Sequence, residues 1–263
     1  MKKEIIIASA AVFVLGGLQY HMDITELSIP SEKVTKPVTI CVLSDLHCRR
    51  FGKKQEKIMK EVREKDPDLI VIPGDLFDVD RDFSISFELL DLLRGRNVFY
   101  VSGNHDRYLK ELPQLYEQME EMGVFIPEED SFQYGEIEIA GLKDLGRKTS
   151  VKSEEVNRRF QTDGFRLLLS HRPNYISLYE QLDCDLIICG HAHGGQFRIP
   201  FTHQGIIAPQ QGLFPKYTEG LHQTGKAKLF ISRGLASGDP HIPRLYNNPE
   251  IAFLTIVPKE EKE

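Results

Sequence analysis

Five short apolar runs, each closed by a polar cluster, constrain this chain more than any other feature. They are VTICVLS (38–44), DLIVIPG (68–74), NVFYVSG (97–103), FRLLLS (165–170) and DLIICG (185–190). Each is β-rich and nearly continuous, as strands buried on both faces are. Helical patterns lie among them at Lys53 to Glu64, Ile85 to Arg94 and Leu109 to Met122, the last with Leu112, Leu115, Tyr116, Met119 and Met122 on one side. Such stripes face a core. Alternating strand and helix predicts right-handed crossovers and a largely parallel sheet, hence an α/β fold. After Gly190 the chain turns to short Gly- and Pro-punctuated segments (FRIP, GIIAP, KLFISRG, EIAFLTIVP), which predict antiparallel strands and long loops on the same core.

The polar endings draw on few residue types: Asp45-Leu46-His47, Gly74-Asp75-Leu76-Phe77-Asp78, Gly103-Asn104-His105-Asp106, Ser170-His171-Arg172 and Gly190-His191-Ala192-His193. In open α/β sheets ligands bind beyond the carboxyl ends of the strands, so these residues are expected to converge. Asp45 with His47, and His191 with His193, are spaced i, i+2. On an extended strand end that spacing puts both side chains on one side, a two-point grip for a cation. Mixed carboxylate, imidazole and amide donors suit manganese, iron or zinc, whereas calcium would ask for oxygen alone.

Net charge is −6 over 263 residues, which argues against a broad basic footprint for nucleic acid. Cys41, Cys48, Cys184 and Cys189 form no CxxC pair, so zinc-knuckle and thioredoxin-type chemistry have no support; Cys41, Cys184 and Cys189 read as small buried hydrophobes. Lys2 and Lys3 precede the uncharged run Ile5 to Leu18, which fits an export signal. As a helix that run reaches about 21 Å, short of a ~30 Å bilayer core. No convincing cleavage site follows, so the expectation is an uncleaved signal anchor over residues 1–22, with a cleaved signal peptide as the alternative. The positive-inside rule then puts the main domain, residues 23–258, on the extracytoplasmic side, and residues 259–263 form a charged tail.

The five endings in order are DxH, GDxxD, GNHD, a lone His and GHxH. On these motifs the chain resembles the calcineurin-like metallophosphoesterase superfamily from about residue 37 to its C-terminus. DLIICGHAHGGQFRIP, APQQGLFPKY and ISRGLASGDPHIPRLYNNPEI are similar to bacterial membrane-associated phosphodiesterases of the YaeI and YkuE type. The resemblance implies a four-layer α/β/β/α sandwich of two mixed sheets flanked by helices. It implies two divalent metal ions, Mn²⁺ first, with Fe²⁺ or Zn²⁺ as alternatives. Asp45, His47 and His193 would hold one ion, Asn104, His171 and His191 the other, and Asp75 would bridge. Two ions roughly 3.5–4 Å apart can polarise a phosphoryl oxygen and lower the pKa of a bridging water, whose hydroxide attacks phosphorus. His105 matches the non-ligand histidine that faces the leaving group, a general acid, and Asp78 would orient and charge it.

One departure bears on substrate. Phosphoprotein phosphatases of the superfamily continue GDxxD into an Arg-Gly pair that grips phosphate; here Val79 and Asp80 follow Asp78, and Arg81 is displaced. That favours a phosphodiester or pyrophosphate substrate, lipid-linked ones included, over a monoester dianion. Arg233 and Arg244 are the preferred substrate contacts, ahead of Arg172 and Arg198. His21, His203, His222 and His241 lack ligand spacing and are expected in loops or on the surface. A nuclease is the second reading, disfavoured by the acidic balance and the missing basic, aromatic-lined groove, so no nucleic-acid partner is expected. A non-catalytic metal-binding scaffold is the third, disfavoured because all seven ligand positions and His105 are present. A monomer is expected.

Overall fold

A computed structural model describes residues 16–18, 21–146, 151–236 and 243–259. Its first half runs β1 (Asp23–Ser31), β2 (Val38–Val42), α1 (Glu56–Lys65), β3 (Leu69–Pro73), α2 (Ser84–Leu92), β4 (Val98–Val101), α3 (Asn104–Arg107), α4 (Leu112–Glu121) and β5 (Val124–Phe125). The second half runs β6 (Ser131–Tyr134), β7 (Ile137–Leu142), α5 (Ser153–Asn157), β8 (Phe165–Ser170), α6 (Ile176–Tyr179), β9 (Leu186–Cys189), β10 (Ile207–Ala208), β11 (Gly212–Leu213), β12 (Gly220–Thr224), β13 (Ala227–Ile231) and β14 (Glu250–Pro258).

Two mixed sheets result. The first has the order β1-β14-β2-β3-β4-β5 and is parallel except where β14 meets β2. The second has the order β12-β13-β9-β8-β7-β6, parallel inside and antiparallel at its two outer pairs. Strand alternation divides the side chains between layers. Ile40, Val42, Leu69 and Val71 of the first sheet meet Leu167, Leu169, Leu186 and Ile188 of the second. On the outer face of the first sheet, Cys41, Ile70 and Ile72 pack under Ile58, Val62 and Leu89 of the helices. On the outer face of the second, Leu168, Ile187 and Cys189 pack under Val156 and Tyr179. Helix, sheet, sheet, helix is thus the layer order, each buried aliphatic side chain contributing about 1.5–3 kcal/mol.

The five expected strands form, each within two residues of its apolar run at either end. The antiparallel strands expected after Gly190 form at β10–β11, β12–β13 and β14–β2, but β13 pairs parallel with β9, and β14 parallel with β1. The hairpin β12–β13 turns the chain once before it reaches β9, which restores the direction of β9 itself. β1, β6 and β7 carry no strand signal in the five-run reading. The proposed signal anchor lies almost wholly outside the described residues; at its end, Leu18 forms an antiparallel bridge to Leu245. Among the described residues no helix is long and apolar enough to cross a membrane.

Candidate metal centre

The polar endings of β2, β3 and β4 in one sheet meet those of β8 and β9 in the other. They do so through bent backbone. Asp45, His47, Asp75, His191 and His193 have φ of 55°, 49°, 53°, 65° and 47°, a left-handed conformation uncommon for residues with a Cβ. The i, i+2 grips are therefore not made by extended strand ends as expected; local turns aim each side chain inward. Such conformations cost about 1–3 kcal/mol each and persist where the surroundings over-determine them. Here the surroundings are tight. A Cβ on Gly190 would lie 1.9 Å from Ser44 Oγ, and Gly74, at φ 94°, leaves no room for one beside His171 Nδ1.

Two donor clusters result. Asp45, His47 and His193 place ligand atoms within 4.8 Å of one another, and so do Asp75, His171 and His191. Asp75 links them: its Oδ2 lies 3.2 Å from His171 Nε2 and 3.7 Å from His47 Nε2. Asn104 joins the second cluster through Oδ1, 3.1 Å from His171 Nε2.

The ring tautomers fit cation binding. His171 Nδ1–H donates to Pro73 O and His193 Nδ1–H to Ala236 O, both at 2.9 Å. His191 Nε2–H donates to Gln210 Oε1 at 2.8 Å. Each ring thus turns its second ring nitrogen inward, as outer partners of ligating histidines make them do. His171 Nε2 then faces Asn104 Oδ1, Asp75 Oδ2 and His191 Nδ1, the last at 3.1 Å. Apart from the proton held on His171 Nε2, every atom at this meeting point is an acceptor. His47 Nε2 and Asp75 Oδ2 are also buried without a hydrogen-bond partner. Buried polar atoms left this way are costly, so the donor set fits divalent cations.

Electrostatics divides the imidazoles. Burial opposes charge on His171, but Asp75 and Asp45 outweigh it and push the ring up to about 9. Burial, with repulsion from His171 and Arg172, drives His191 down to about 3. Burial and the neighbouring His47 and Arg244 also lower His193. Burial raises Asp45, whereas Asp75, though equally buried, is held well below the carboxylate range by His171, His47 and His105.

His105 stands at the open side of this cluster with a third of its side chain exposed, its Nδ1 2.7 Å from Asp78 Oδ1. Burial works against a charged ring, but the Asp78 hydrogen bond and the fields of Asp75 and Asp78 push it up to about 9. Asp78 Oδ2 also lies 3.3 Å from His47 Nδ1, so one carboxylate serves the acid and a ligand. The His105 backbone N–H donates to Asp75 Oδ1 at 2.8 Å.

The structure brings all seven expected ligands and the His105–Asp78 pair together. It commits Arg233 and Arg244, expected at the substrate, to partners within the protein. Arg233 binds Asp23, Glu250 and Glu219 at 3.0–3.4 Å. Arg244 is fully buried and donates to the carbonyls of Gly234 and Arg233. Arg198 pairs with Glu219 and Arg172 with Asp144. His203 and His222 bond to Glu219, His21 lies beside Asp23, and His241 falls outside the described residues. Cys48 is buried against Ser86 and Leu76 O, away from the donors.

Two supporting residues had no assigned role in the sequence. Asp106 accepts from the backbone N–H groups of Asp75, Phe77 and Gly103 at 2.7–2.8 Å, which fixes two of the strand endings against each other. Its place at the end of GNHD was a usable signal. Gln210, which holds both His191 and Arg172, sits in a loop with no motif to mark it.

A sequence profile described as calcineurin-like phosphoesterase matches residues 38–195. Relatives include an uncharacterized metallophosphoesterase of Campylobacter jejuni, 30% identical over 89% of this chain and 63% of its own length. The metallophosphoesterase YkuE of Bacillus subtilis is 29% identical over 95% of this chain and 93% of its own. The phosphodiesterase YaeI of Escherichia coli is 29% identical over 84% and 83%. The chain spans 63% and 65% of the length of the Campylobacter relative and of a Helicobacter pylori one.

Proposed function

The chain belongs to the calcineurin-like phosphoesterase family, a metal-dependent phosphoesterase, and from that premise we propose that it hydrolyses a phosphodiester or pyrophosphate bond of a membrane or envelope substrate. The observation that carries the metal-dependent part is the convergence of Asn104 Oδ1, Asp75 Oδ2 and His191 Nδ1 on His171 Nε2, whose proton a cation would replace. Asp45, His47 and His193 would hold one divalent ion, and Asn104, His171 and His191 the other, with Asp75 reaching both. Two such ions, Mn²⁺ by preference, supply Lewis acidity toward phosphoryl oxygens and make a water acidic near neutral pH.

The remaining work falls to side chains. His105, held at Nδ1 by Asp78 and with a third of its side chain exposed, would give its Nε2 proton to the departing alkoxide. Asp78 favours the charged ring before that transfer and holds the ring's orientation through it. Asp106 holds Gly103 and the Asp75 backbone, and so the spacing between His105 and Asp75. Val79 and Asp80, where an Arg-Gly pair would grip a monoester, support a diester or anhydride, as does the phosphodiesterase name carried by YaeI. The uncharged run Ile5 to Leu18 behind Lys2 and Lys3 supports a membrane anchor with the metal centre on the extracytoplasmic side.

The test is metal analysis of the purified full chain with assays on bis-p-nitrophenyl phosphate, p-nitrophenyl phosphate and single-stranded DNA in Mn²⁺. The expected result is diester hydrolysis that a chelator abolishes. Preference for the monoester would overturn the diester assignment, and preference for DNA would make the protein a nuclease.

A further inference from the structure

Among the described residues, five of the nine exposed large apolar side chains fall within sixteen positions: Ile199, Phe201, Ile207, Leu213 and Phe214, exposed by 39%, 108%, 43%, 70% and 62%. Single exposed apolar residues are ordinary, but a cluster marks a surface that something covers. Phe201 and Phe214 both sit at left-handed φ, 64° and 51°, unfavourable for bulky residues, and point away from the body of the protein.

We propose that residues 199–217 are a membrane-docking loop that seats the metal centre against a lipid bilayer, where the scissile bond belongs to a lipid headgroup. The substrate half of this statement rests on the phosphodiesterase reading; the docking half does not.

Three observations choose a bilayer over another protein. From Ile199 to Tyr217 there is no Asp or Glu, although the chain's average density of acidic residues would place about three there. The charged residue among the exposed tips is Lys216, whose Nζ lies 5.0 Å from the Tyr217 ring, a cation and an amphipathic aromatic of the kind that lines a headgroup layer. The base of the loop joins the other apolar part of the chain: Leu245 bridges both Phe197, just before the loop, and Leu18, the end of the uncharged run from Ile5. Leu18, the C-terminal residue of that run, thus lies beside the base of the loop.

The loop is also coupled to the chemistry. The β10–β11 hairpin turns Ile207 and Leu213 outward, while Gln210 at its tip accepts the hydrogen bond of the ligand His191. At the base of the loop, Gly195 lies against Gly205, where neither could carry a Cβ. A bilayer that received Phe201, Leu213 and Phe214 would lie beside the metal ligands. A soluble diester needs no such neighbour; a headgroup diester does.

The chain has no tryptophan, so single reporters can be placed in the full-length protein. Phe201→Trp and Phe214→Trp probe the loop, and Tyr134→Trp probes the far end of the second sheet, where β6 pairs with the start of β7. Each is reconstituted with vesicles of phosphatidylethanolamine and phosphatidylglycerol carrying brominated acyl chains. Strong quenching of the two loop reporters and not of the third is expected. Equal quenching of all three, or none, overturns the proposal. So does a blue shift without quenching, the signature of a second copy of the chain covering the patch.

The triple variant F201S/L213S/F214S supplies the second arm. Hydrolysis of hexadecyl p-nitrophenyl phosphate carried in the vesicles is expected to fall roughly tenfold or more as apolar contact area is lost, with soluble bis-p-nitrophenyl phosphate unchanged. Equal loss on both substrates overturns the coupling of loop to substrate. Quenching is read without turnover, so an absence of diester hydrolysis would strike the functional reading and leave docking to be decided by the reporters.

Discussion

The two sheets make unequal contributions to one site. The first delivers Asp45, His47, Asp75 and Asn104, and with them the His105–Asp78 pair; the second delivers His171, His191 and His193 and no carboxylate. Negative charge and the transferable proton therefore come from one side, and imidazoles with fixed tautomers from the other. Neither side is a site alone. Cations between them would tie together two layers that are otherwise joined by apolar packing, and the division says which losses are catalytic and which are losses of metal.

Asp75 is the point where the two sides meet, so Asp75→Ala has the largest expected effect. It should remove bound metal and abolish turnover, a loss beyond the ~10²–10⁴-fold that a general acid contributes. Metal content by mass spectrometry separates it from His105→Ala, which should lose about 10²–10⁴-fold in kcat while keeping both ions. If His105→Ala lost metal as well, the split between acid and ligands would be wrong.

Asp78→Asn comes next, with a fall of roughly 10-fold, the low end of what such outer partners contribute. Its pH profile is the sharper readout. His105 stands at about 9 because Asp78 and its neighbours favour the charged ring, so the protonated acid is present below that value and lost above it. Removing Asp78 lowers the ring's pKa, and the alkaline limb of kcat should move to lower pH. An unmoved limb would assign the proton to another group.

Metal affinity carries the comparison into binding. A cation entering the site must displace the proton that Asp75 and Asp45 hold on His171, whereas His191 and His193 are lowered and already neutral. Affinity should rise with pH below about 9 by up to roughly tenfold per unit, with one proton released from the second sheet and not three. Calorimetry in buffers of different ionisation enthalpy counts it. The smallest effect on turnover belongs to Arg233→Met: kcat stays within about twofold, but Glu250 and the half-buried Asp23 lose their cation, Glu219 keeping Arg198, and stability falls by about 3 kcal/mol in denaturant melts.

The same contrast governs what the sequence reveals. Both sides announced themselves, because a buried parallel strand is a continuous apolar run and its polar ending stands out against it. The strands at the margins did not. β1 (DITELSIPS) alternates with exposed residues and contains Pro30, as an edge strand can. β7 contains Glu138, buried at 2% exposure and satisfied by the backbone N–H groups of Gln161 and Thr162, so its apolar run looks broken. The left-handed turns at Asp45, His47, Asp75, His191 and His193 are also invisible, since Asp and His carry no signal for φ comparable to glycine's. Arg233 and Arg244 read as substrate contacts because nothing in the local sequence marks their partners: Asp23 is 210 residues from Arg233, and Arg244 bonds to backbone carbonyls.

Anomalous diffraction from crystals of the full chain grown with Mn²⁺ tests the central claim most directly. Two peaks are predicted, one among Asp45, His47 and His193 and one among Asn104, His171 and His191, with Asp75 between them. A single peak, or a pair held by residues of one sheet alone, would contradict the account.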